Sequence, residues 1–178
     1  MASSPVPWAT AHPALGAAAV TIVYALQATA TLVEVQAVRL LLHVLAAGGL
    51  WLGVGLPFLA LLLRIISTSI RRVRLAGWYY VYLFYALQVM MASTVLALAQ
   101  FDRHAYRGLC PPHGGGCTNP WQQSLRALYF VAGSFASVGY GDIVPVSTMA
   151  ILFSFPQFWF SGLYFSLVIG RITARVLE

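Results

Sequence analysis

Four long apolar stretches constrain this chain more than any other feature. They lie at about residues 14–33, 40–63, 77–100 and 146–170. The hydrocarbon layer of a bilayer is about 30 Å thick, so a helix needs roughly 20 residues to cross it. Because each stretch is long enough, the pattern predicts an all-α integral membrane protein with four transmembrane helices that contact membrane lipid.

The composition leaves little of the chain for a soluble domain. Charged residues make up 8% of the sequence, whereas ordinary soluble domains contain about 25%. The longest polar segment, at residues 101–121, is far shorter than the ~50 residues that a compact domain usually needs. Since the apolar segments carry no acid–base pair or nucleophile group, the sequence predicts neither an enzyme nor a bound cofactor.

The net charge of +6 does not indicate nucleic-acid binding. The basic residues are all arginines, and they lie at the ends of the apolar stretches, not along one polar face. Arg71, Arg72 and Arg74 follow the second stretch, where they can meet anionic lipid headgroups at the membrane surface. The first two stretches also lack arginines at three-residue intervals, which a voltage sensor would need.

The arginines also predict the orientation of the chain. The positive-inside rule places Arg64 and the cluster that follows it on the cytoplasmic side. The third stretch then runs outward, the polar segment is extracellular, and the last stretch returns to Arg171 and Arg175. We therefore expect a multi-pass protein of the cell membrane with both termini in the cytoplasm.

The segment WQQSLRALYFVAGSFASVGYGDIVP, at residues 121–145, is too short and too polar to be a fifth span. It predicts a re-entrant structure, with a short helix over residues 122–136 that enters from the outer face. Pro120 directly precedes this helix, at a place where its missing N–H costs nothing. The chain would then return through residues 137–142, SVGYGD.

This segment resembles the pore loop of potassium channels of the tetrameric pore-loop cation channel superfamily. The family pattern is TVGYGD followed two residues later by Pro, and here SVGYGD precedes Ile143, Val144 and Pro145. The resemblance implies a homotetramer, because each chain supplies one of the four filter strands. It also implies passive conduction of potassium across the membrane.

The resemblance covers about residues 77–178 and implies a pore domain there, with an outer helix at 77–100, an extracellular loop at 101–120, a pore helix and filter at 121–145, and an inner helix at 146–178. The first two stretches match no family pattern. Because only about five residues, 34–38, separate them, residues 1–76 are expected to form a transmembrane hairpin of two helices with a cytoplasmic, arginine-rich linker.

A potassium ion sheds its water only where protein oxygens replace that water, and stacked backbone carbonyls can do so. The resemblance implies potassium sites at the carbonyls of Ser137, Val138, Gly139 and Tyr140, with the Ser137 hydroxyl innermost. Successive carbonyls can share one direction if residues alternate in handedness, which Gly139 and Gly141 allow. Side chains expected to support this filter are those of Asp142, Tyr129 and Phe130.

Two residues depart from the family pattern. Ser137 replaces the usual Thr and keeps its hydroxyl, so potassium selectivity should survive. Gly133 stands where some relatives carry a carboxylic acid that bonds to the outer Asp behind the filter. Tyr129 can still donate a hydrogen bond to Asp142.

The polar segment contains the two cysteines of the chain, Cys110 and Cys117. Outside the cytoplasm two thiols at this spacing usually pair. The sequence therefore favours a disulfide that closes this loop within one chain over a disulfide between two subunits. A zinc site is an alternative, because His104 and His113 could complete a tetrahedral set with the two cysteines.

The last apolar stretch would line the pore. Gly162, Phe165 and Ile169 share one helical face, which makes them candidates for a gate, and Pro156 is expected to kink the helix. In the second stretch, Gly49 and Gly53 predict close helix packing, and His43 is expected at the membrane interface.

Two other functions remain open at this point. One is a cation channel with weak selectivity, because a filter motif alone does not fix selectivity. The other is a membrane sensor or accessory subunit with four helices and no conduction.

Overall fold

The computed structural model describes residues 13–68, 77–110 and 119–176. Over these ranges the protein is almost entirely helical. The helices are α1 Pro13–Ala30, α2 Gln36–Leu50, α3 Leu56–Thr68, α4 Gly77–Phe101, α5 Pro120–Phe135 and α6 Thr148–Val176. A π-helical turn, Trp51–Gly55, joins α2 directly to α3, and two short strands, β1 Tyr106–Arg107 and β2 Val144–Pro145, flank α5.

Four of the helical stretches are long and apolar enough to cross a membrane. They are Pro13–Ala30, Gln36–Arg64, Gly77–Phe101 and Thr148–Thr173. The four apolar helices predicted from the sequence are therefore confirmed, with ends that shift by a few residues. The cluster of Arg71, Arg72 and Arg74 lies outside the described residues, as do both termini.

The π-helical turn lies just before a proline. The Leu56 N–H donates to the Trp51 carbonyl, five residues earlier. Pro57 has no N–H to offer and its ring would collide with the carbonyl four residues before it, so the helix widens locally by one residue. Gly55 accommodates the Trp51 ring, since a β-carbon on Gly55 would lie 2.8 Å from that ring.

Helix α4 lies at the centre of the fold. Of the residues in its apolar stretch, 67% are buried inside the chain. The helix contacts the N-terminal helices α1 and α2 as well as α5 and α6. Completely buried side chains gather along it, among them Leu87, Met90, Met91 and Leu96. Helix α1 also contacts α5 directly, so the N-terminal hairpin packs on the same helices that carry the predicted pore loop.

Trp51 joins the hairpin to the last helix. Its ring packs edge-on against Phe160 and Phe153 of α6, with centroids 5.4 and 6.4 Å away. Its indole N–H donates to the Thr94 hydroxyl of α4 at 3.0 Å. Because the indole N–H is satisfied, this large side chain can be half-buried among three helices at little cost.

The packing of the second stretch within the chain differs from what its glycine spacing suggested. A β-carbon on Gly49 or Gly53 would meet nothing within 4 Å, so neither glycine marks a helix contact within the chain, and the tightly packed glycine is Gly55. His43 is completely buried inside the chain, with its Nδ1 2.8 Å from the Arg39 carbonyl oxygen, and its expected place at the membrane interface stays a prediction. The helical repeat aligns it with Ala47 and Leu50, the other buried residues of α2.

Candidate functional site: the turn after helix α5

Helix α5 begins with a well-formed cap. The Asn119 side-chain oxygen accepts hydrogen bonds from the N–H groups of Trp121 and Gln122, at 3.0 and 3.4 Å. Pro120 occupies the first helical position, where no N–H is needed. The helix therefore starts two residues before the predicted Gln122, because the cap residue and proline act together.

The C-terminal end of α5 is fastened to residues 137–142, here called the filter segment after the prediction. The Gly133 carbonyl oxygen accepts from the N–H groups of both Val138, at 2.9 Å, and Gly139, at 3.3 Å. The Ser137 N–H donates to the Ser134 carbonyl oxygen at 3.1 Å. These bonds satisfy carbonyls that a helix end would otherwise leave without partners.

The last carbonyl of α5 is bonded from a different helix. The buried Ser161 hydroxyl of α6 donates to the Phe135 carbonyl oxygen. Helix α6 therefore touches the end of α5 directly beside the filter segment. Nothing in the sequence predicts this contact, because a serine within an apolar helix most often bonds to its own backbone.

The filter segment alternates in backbone handedness. Ser137, Gly139 and Gly141 have φ angles of +57°, +56° and +78°, and these three alternate with Val138 and Tyr140. The two glycines were predicted to adopt this conformation. Ser137 was not, because a side chain in the left-handed region costs about 1–2 kcal/mol, and no rule of sequence selects serine for it.

The bonds to Gly133 determine where two carbonyls point. In a trans peptide the C=O of one residue is opposite the N–H of the next. Since the N–H groups of Val138 and Gly139 both face Gly133, the carbonyls of Ser137 and Val138 point away from α5. Residues 136–142 are all exposed in the isolated chain. The segment thus presents backbone oxygens on an open side.

An aromatic stack supports the filter segment on its other side. The rings of Tyr129 and Tyr140 are nearly parallel, at 12°, with centroids 5.3 Å apart. Gly133 lies beneath Tyr140, since a β-carbon there would be 3.1 Å from the Tyr140 ring. A side chain at position 133 would press on this ring. The packing therefore explains why glycine, and not a carboxylic acid, stands at this position.

Tyr129 also interacts with the end of the filter segment. Partial desolvation, followed by the charge and the hydrogen bond of the Asp142 carboxylate, raises the pKa of Tyr129. Phe130 instead packs edge-on against Tyr106 of β1, with centroids 5.4 Å apart. The two aromatic residues predicted as supports thus act in different places, one on the filter segment and the other on the neighbouring loop.

Residues 102–110 form a brace along the C-terminal end of the filter segment. Strands β1 and β2 pair antiparallel, Tyr106 with Pro145 and Arg107 with Val144. The Val146 N–H donates to the Ala105 carbonyl oxygen at 2.8 Å. A two-residue strand gives no periodic signal in a sequence, so this brace was not predicted.

The brace is also bonded to α5 and to a disulfide. An Arg126 guanidinium N–H donates to the Gly108 carbonyl oxygen at 3.0 Å. Cys110 is disulfide-bonded. Cys117 and His113 lie outside the described residues, so the pairing of Cys110 with Cys117 stays a prediction. A zinc site would need Cys110 as a thiolate, and a disulfide-bonded Cys110 does not supply one.

The candidate gate residues lie together on α6. Gly162, Phe165 and Ile169 are all exposed in the isolated chain, while Tyr164 and Leu167 face the core. Phe165 approaches the end of α5, with its ring centroid 5.9 Å from that of Phe135. The helix runs without interruption through Pro156.

These features define a class of membrane protein. Helices of membrane-spanning length pack against a short capped helix, which is followed by an exposed backbone turn. A family model described as "Ion channel" matches residues 90–178, half of the chain. The matched region runs from within α4 to the last residue and includes α5 and the filter segment. The chain therefore belongs to this family of ion channels, which is not a family of enzymes. Comparisons with curated proteins and with solved structures found no significant match.

Proposed function

We propose that four copies of this chain form a channel that conducts potassium ions passively and selectively. The observation that carries this proposal is the direction of the backbone carbonyls of Ser137 and Val138, away from α5 and toward an exposed side. Their oxygens are strong, fixed dipoles, and none of the described residues donates a backbone hydrogen bond to them. A partly dehydrated cation is the ligand that such oxygens suit.

One chain supplies only one wall of such a site. A potassium ion needs several oxygens around it, and one backbone segment lies on one side of the ion only. Four copies around an axis would surround each ion with the carbonyls of Ser137, Val138, Gly139 and Tyr140. The exposed side of the filter segment is the face that would line this axis.

The length of α5 supports a re-entrant path. Its 16 residues span about 24 Å at 1.5 Å per residue, less than the ~30 Å hydrocarbon layer. The chain would therefore enter and return on one side, which the charge distribution makes the extracellular side. Both termini would then be cytoplasmic, and Arg71, Arg72 and Arg74 would meet anionic lipid.

Selectivity for potassium over sodium requires that the carbonyls hold their spacing. Three contacts support the filter segment: the two hydrogen bonds to the Gly133 carbonyl oxygen, the stack of Tyr140 on Tyr129, and the β1–β2 brace. A flexible segment could close around a smaller ion. These supports favour potassium selectivity over the weakly selective alternative.

Flux measurement in liposomes tests the proposal. Purified protein is reconstituted into vesicles that contain potassium, and the efflux is driven by a gradient and detected with a proton-coupled dye. We expect flux with potassium that falls at least tenfold when sodium replaces it. Equal flux of both ions would show the weakly selective channel, and absence of flux with either ion would show a non-conducting sensor or accessory subunit. Mass photometry of the purified protein tests the tetramer.

A further inference from the structure

A buried hydrogen bond joins the first helix to the helix that holds the filter segment. The Tyr24 hydroxyl of α1 donates to the Ser124 carbonyl oxygen of α5 at 2.8 Å. Tyr24 and Ser124 are both more than nine-tenths buried. Helix α1 precedes the region that matches the ion channel family, so this contact comes from a part of the chain to which the match assigns no role.

Two further polar contacts of α1 reach a different helix. The Gln27 amide donates to the Ser93 carbonyl oxygen of α4 at 2.8 Å, and the Thr21 hydroxyl lies 2.9 Å from the Tyr85 hydroxyl, also on α4. Gln27 is one helical turn from Tyr24 on the same buried face. Helix α1 is thus held against α4 at two points and touches α5 through Tyr24.

Helix α5 can transmit force along its length. Ser124 and Gly133 are nine residues apart, about 14 Å along a helix axis. A regular helix moves as a unit over this distance, because its backbone hydrogen bonds resist bending. Gly133 holds the N–H groups of Val138 and Gly139, so a shift of α5 at Ser124 changes the position of the two carbonyls that face the open side.

We propose that Tyr24 is a positioning residue for the filter, through which the N-terminal hairpin keeps α5 in the conducting position. This inference rests on the proposed channel function. The bond is suited to such a role because its loss does not endanger the fold. The Ser124 carbonyl lies within α5 and keeps its helical acceptor bond, and Phe would fill the same buried volume.

Single-channel recording in planar bilayers tests the proposal with a matched pair of variants. Tyr24→Phe removes the hydroxyl that reaches α5, and Tyr85→Phe removes a hydroxyl that bonds α1 to α4. One net hydrogen bond shifts a two-state equilibrium by about three- to tenfold. We expect Tyr24→Phe to lower the open probability by that factor with unchanged unitary conductance, and Tyr85→Phe to match the wild type.

Two further measurements separate positioning from general stability. Raising external potassium should shorten the added closures in Tyr24→Phe, because ions inside the filter oppose its collapse. Replacing Tyr24 with 4-aminophenylalanine keeps an N–H donor at the same place and should restore the open probability. A purely structural role for Tyr24 would give no dependence of the closures on potassium.

Closures that do not depend on potassium would thus overturn the inference, and so would any of three other results. The first is an open probability of Tyr24→Phe equal to that of the wild type, and the second is an equal loss in Tyr24→Phe and Tyr85→Phe. The third is loss of the assembled protein in Tyr24→Phe, which would make the bond a requirement for folding. A wild-type protein that conducts no ions would overturn the proposed function itself, and this inference with it, so the two failures are distinct.

Discussion

Gly108 lies directly against the backbone of Asp142, at the C-terminal end of the filter segment. A β-carbon built on Gly108 would be 1.9 Å from the Asp142 carbonyl oxygen, and Gly108 has a φ of +84°. The carbonyl of Asp142 therefore points toward the loop, whereas those of Ser137 and Val138 point away from α5. The loop between α4 and α5 sets where the row of exposed carbonyls ends.

Gly108→Ala should disturb this end of the filter segment. The added methyl would force the loop or Asp142 to move, and the left-handed backbone adds about 1–2 kcal/mol. We expect a loss of at least about 2 kcal/mol in stability, seen as a lower melting temperature, together with reduced potassium flux. Gly77→Ala is the control, because a β-carbon there meets nothing within 4 Å. Equal behaviour of the two variants would contradict the tight contact.

Gly139→Ala tests the filter assignment itself. A β-carbon on Gly139 would meet nothing within 4 Å in the isolated chain, so the effect comes from its φ of +56°. Alanine disfavours this conformation by about 1–2 kcal/mol, which should rotate the neighbouring carbonyls. We expect loss of potassium flux or of its preference over sodium, with assembly largely intact. Gly48→Ala on an exposed helical face is the control, and unchanged potassium currents in Gly139→Ala would refute the assignment.

The sequence predicted those parts of the fold that depend on chain-local physics. Apolar length gave the four long helices, and the position of Pro120 gave the start of α5 to within two residues. The glycines of SVGYGD indicated the left-handed positions at Gly139 and Gly141. Each of these signals acts over a few neighbouring residues, so no knowledge of the packing was needed.

Features that depend on partners distant in sequence were missed. His43 is buried because α2 packs against α4, and nothing near His43 in the sequence reports that contact. The brace of β1 on β2 joins residues nearly forty positions apart through strands of two residues. Ser137 adopts a positive φ because Gly133, Ser134 and the following glycines fix the backbone on both sides. Such constraints arise only once the chain has folded.

The predicted disulfide is open to a direct mass measurement. If Cys110 and Cys117 pair within one chain, the intact protein should weigh about two hydrogens less than the reduced protein, since one bond replaces two S–H groups. Non-reducing gels should show no covalent dimer. Stoichiometric zinc in the purified protein, or a dimer that reductant removes, would contradict the intrachain pairing.

Tyr106 offers a test of burial without a hydrogen bond. Its side chain is 5% exposed, and its hydroxyl has no partner among the described residues. A buried hydroxyl without a partner costs about 1–3 kcal/mol, so Tyr106→Phe should leave stability unchanged or raise it by about 1 kcal/mol. Thermal melting at neutral pH measures this. A clear loss of stability would reveal a partner for the hydroxyl.

The same residue predicts a difference at alkaline pH. Burial raises the pKa of Tyr106 above its ordinary value of 10.0, so the folded protein holds this proton more tightly than the unfolded chain. Titration of this hydroxyl therefore leaves the free energy of unfolding unchanged below pH 10 and lowers it as the pH rises from 10 toward the folded pKa. Tyr106→Phe cannot titrate here, so its melting temperature should fall less than that of the wild type between pH 9 and about pH 11. An identical fall would contradict the burial.

The gate can be sought on the exposed face of α6. Four Phe165 or Ile169 side chains that converge below the filter would form an apolar ring. An ion that enters such a ring without its water finds no replacement ligands, so the ring blocks conduction by dewetting. Ile169 is 62% exposed in the isolated chain, and Ile169→Asn should therefore raise resting potassium flux several-fold by wetting the constriction. Leu163 lies about 120° away around the helix, and Leu163→Asn should have much less effect. Equal flux from the two variants would place the gate elsewhere. Unchanged flux after substitution of both Ile169 and Phe165 would do the same, with the filter segment as the next position to test.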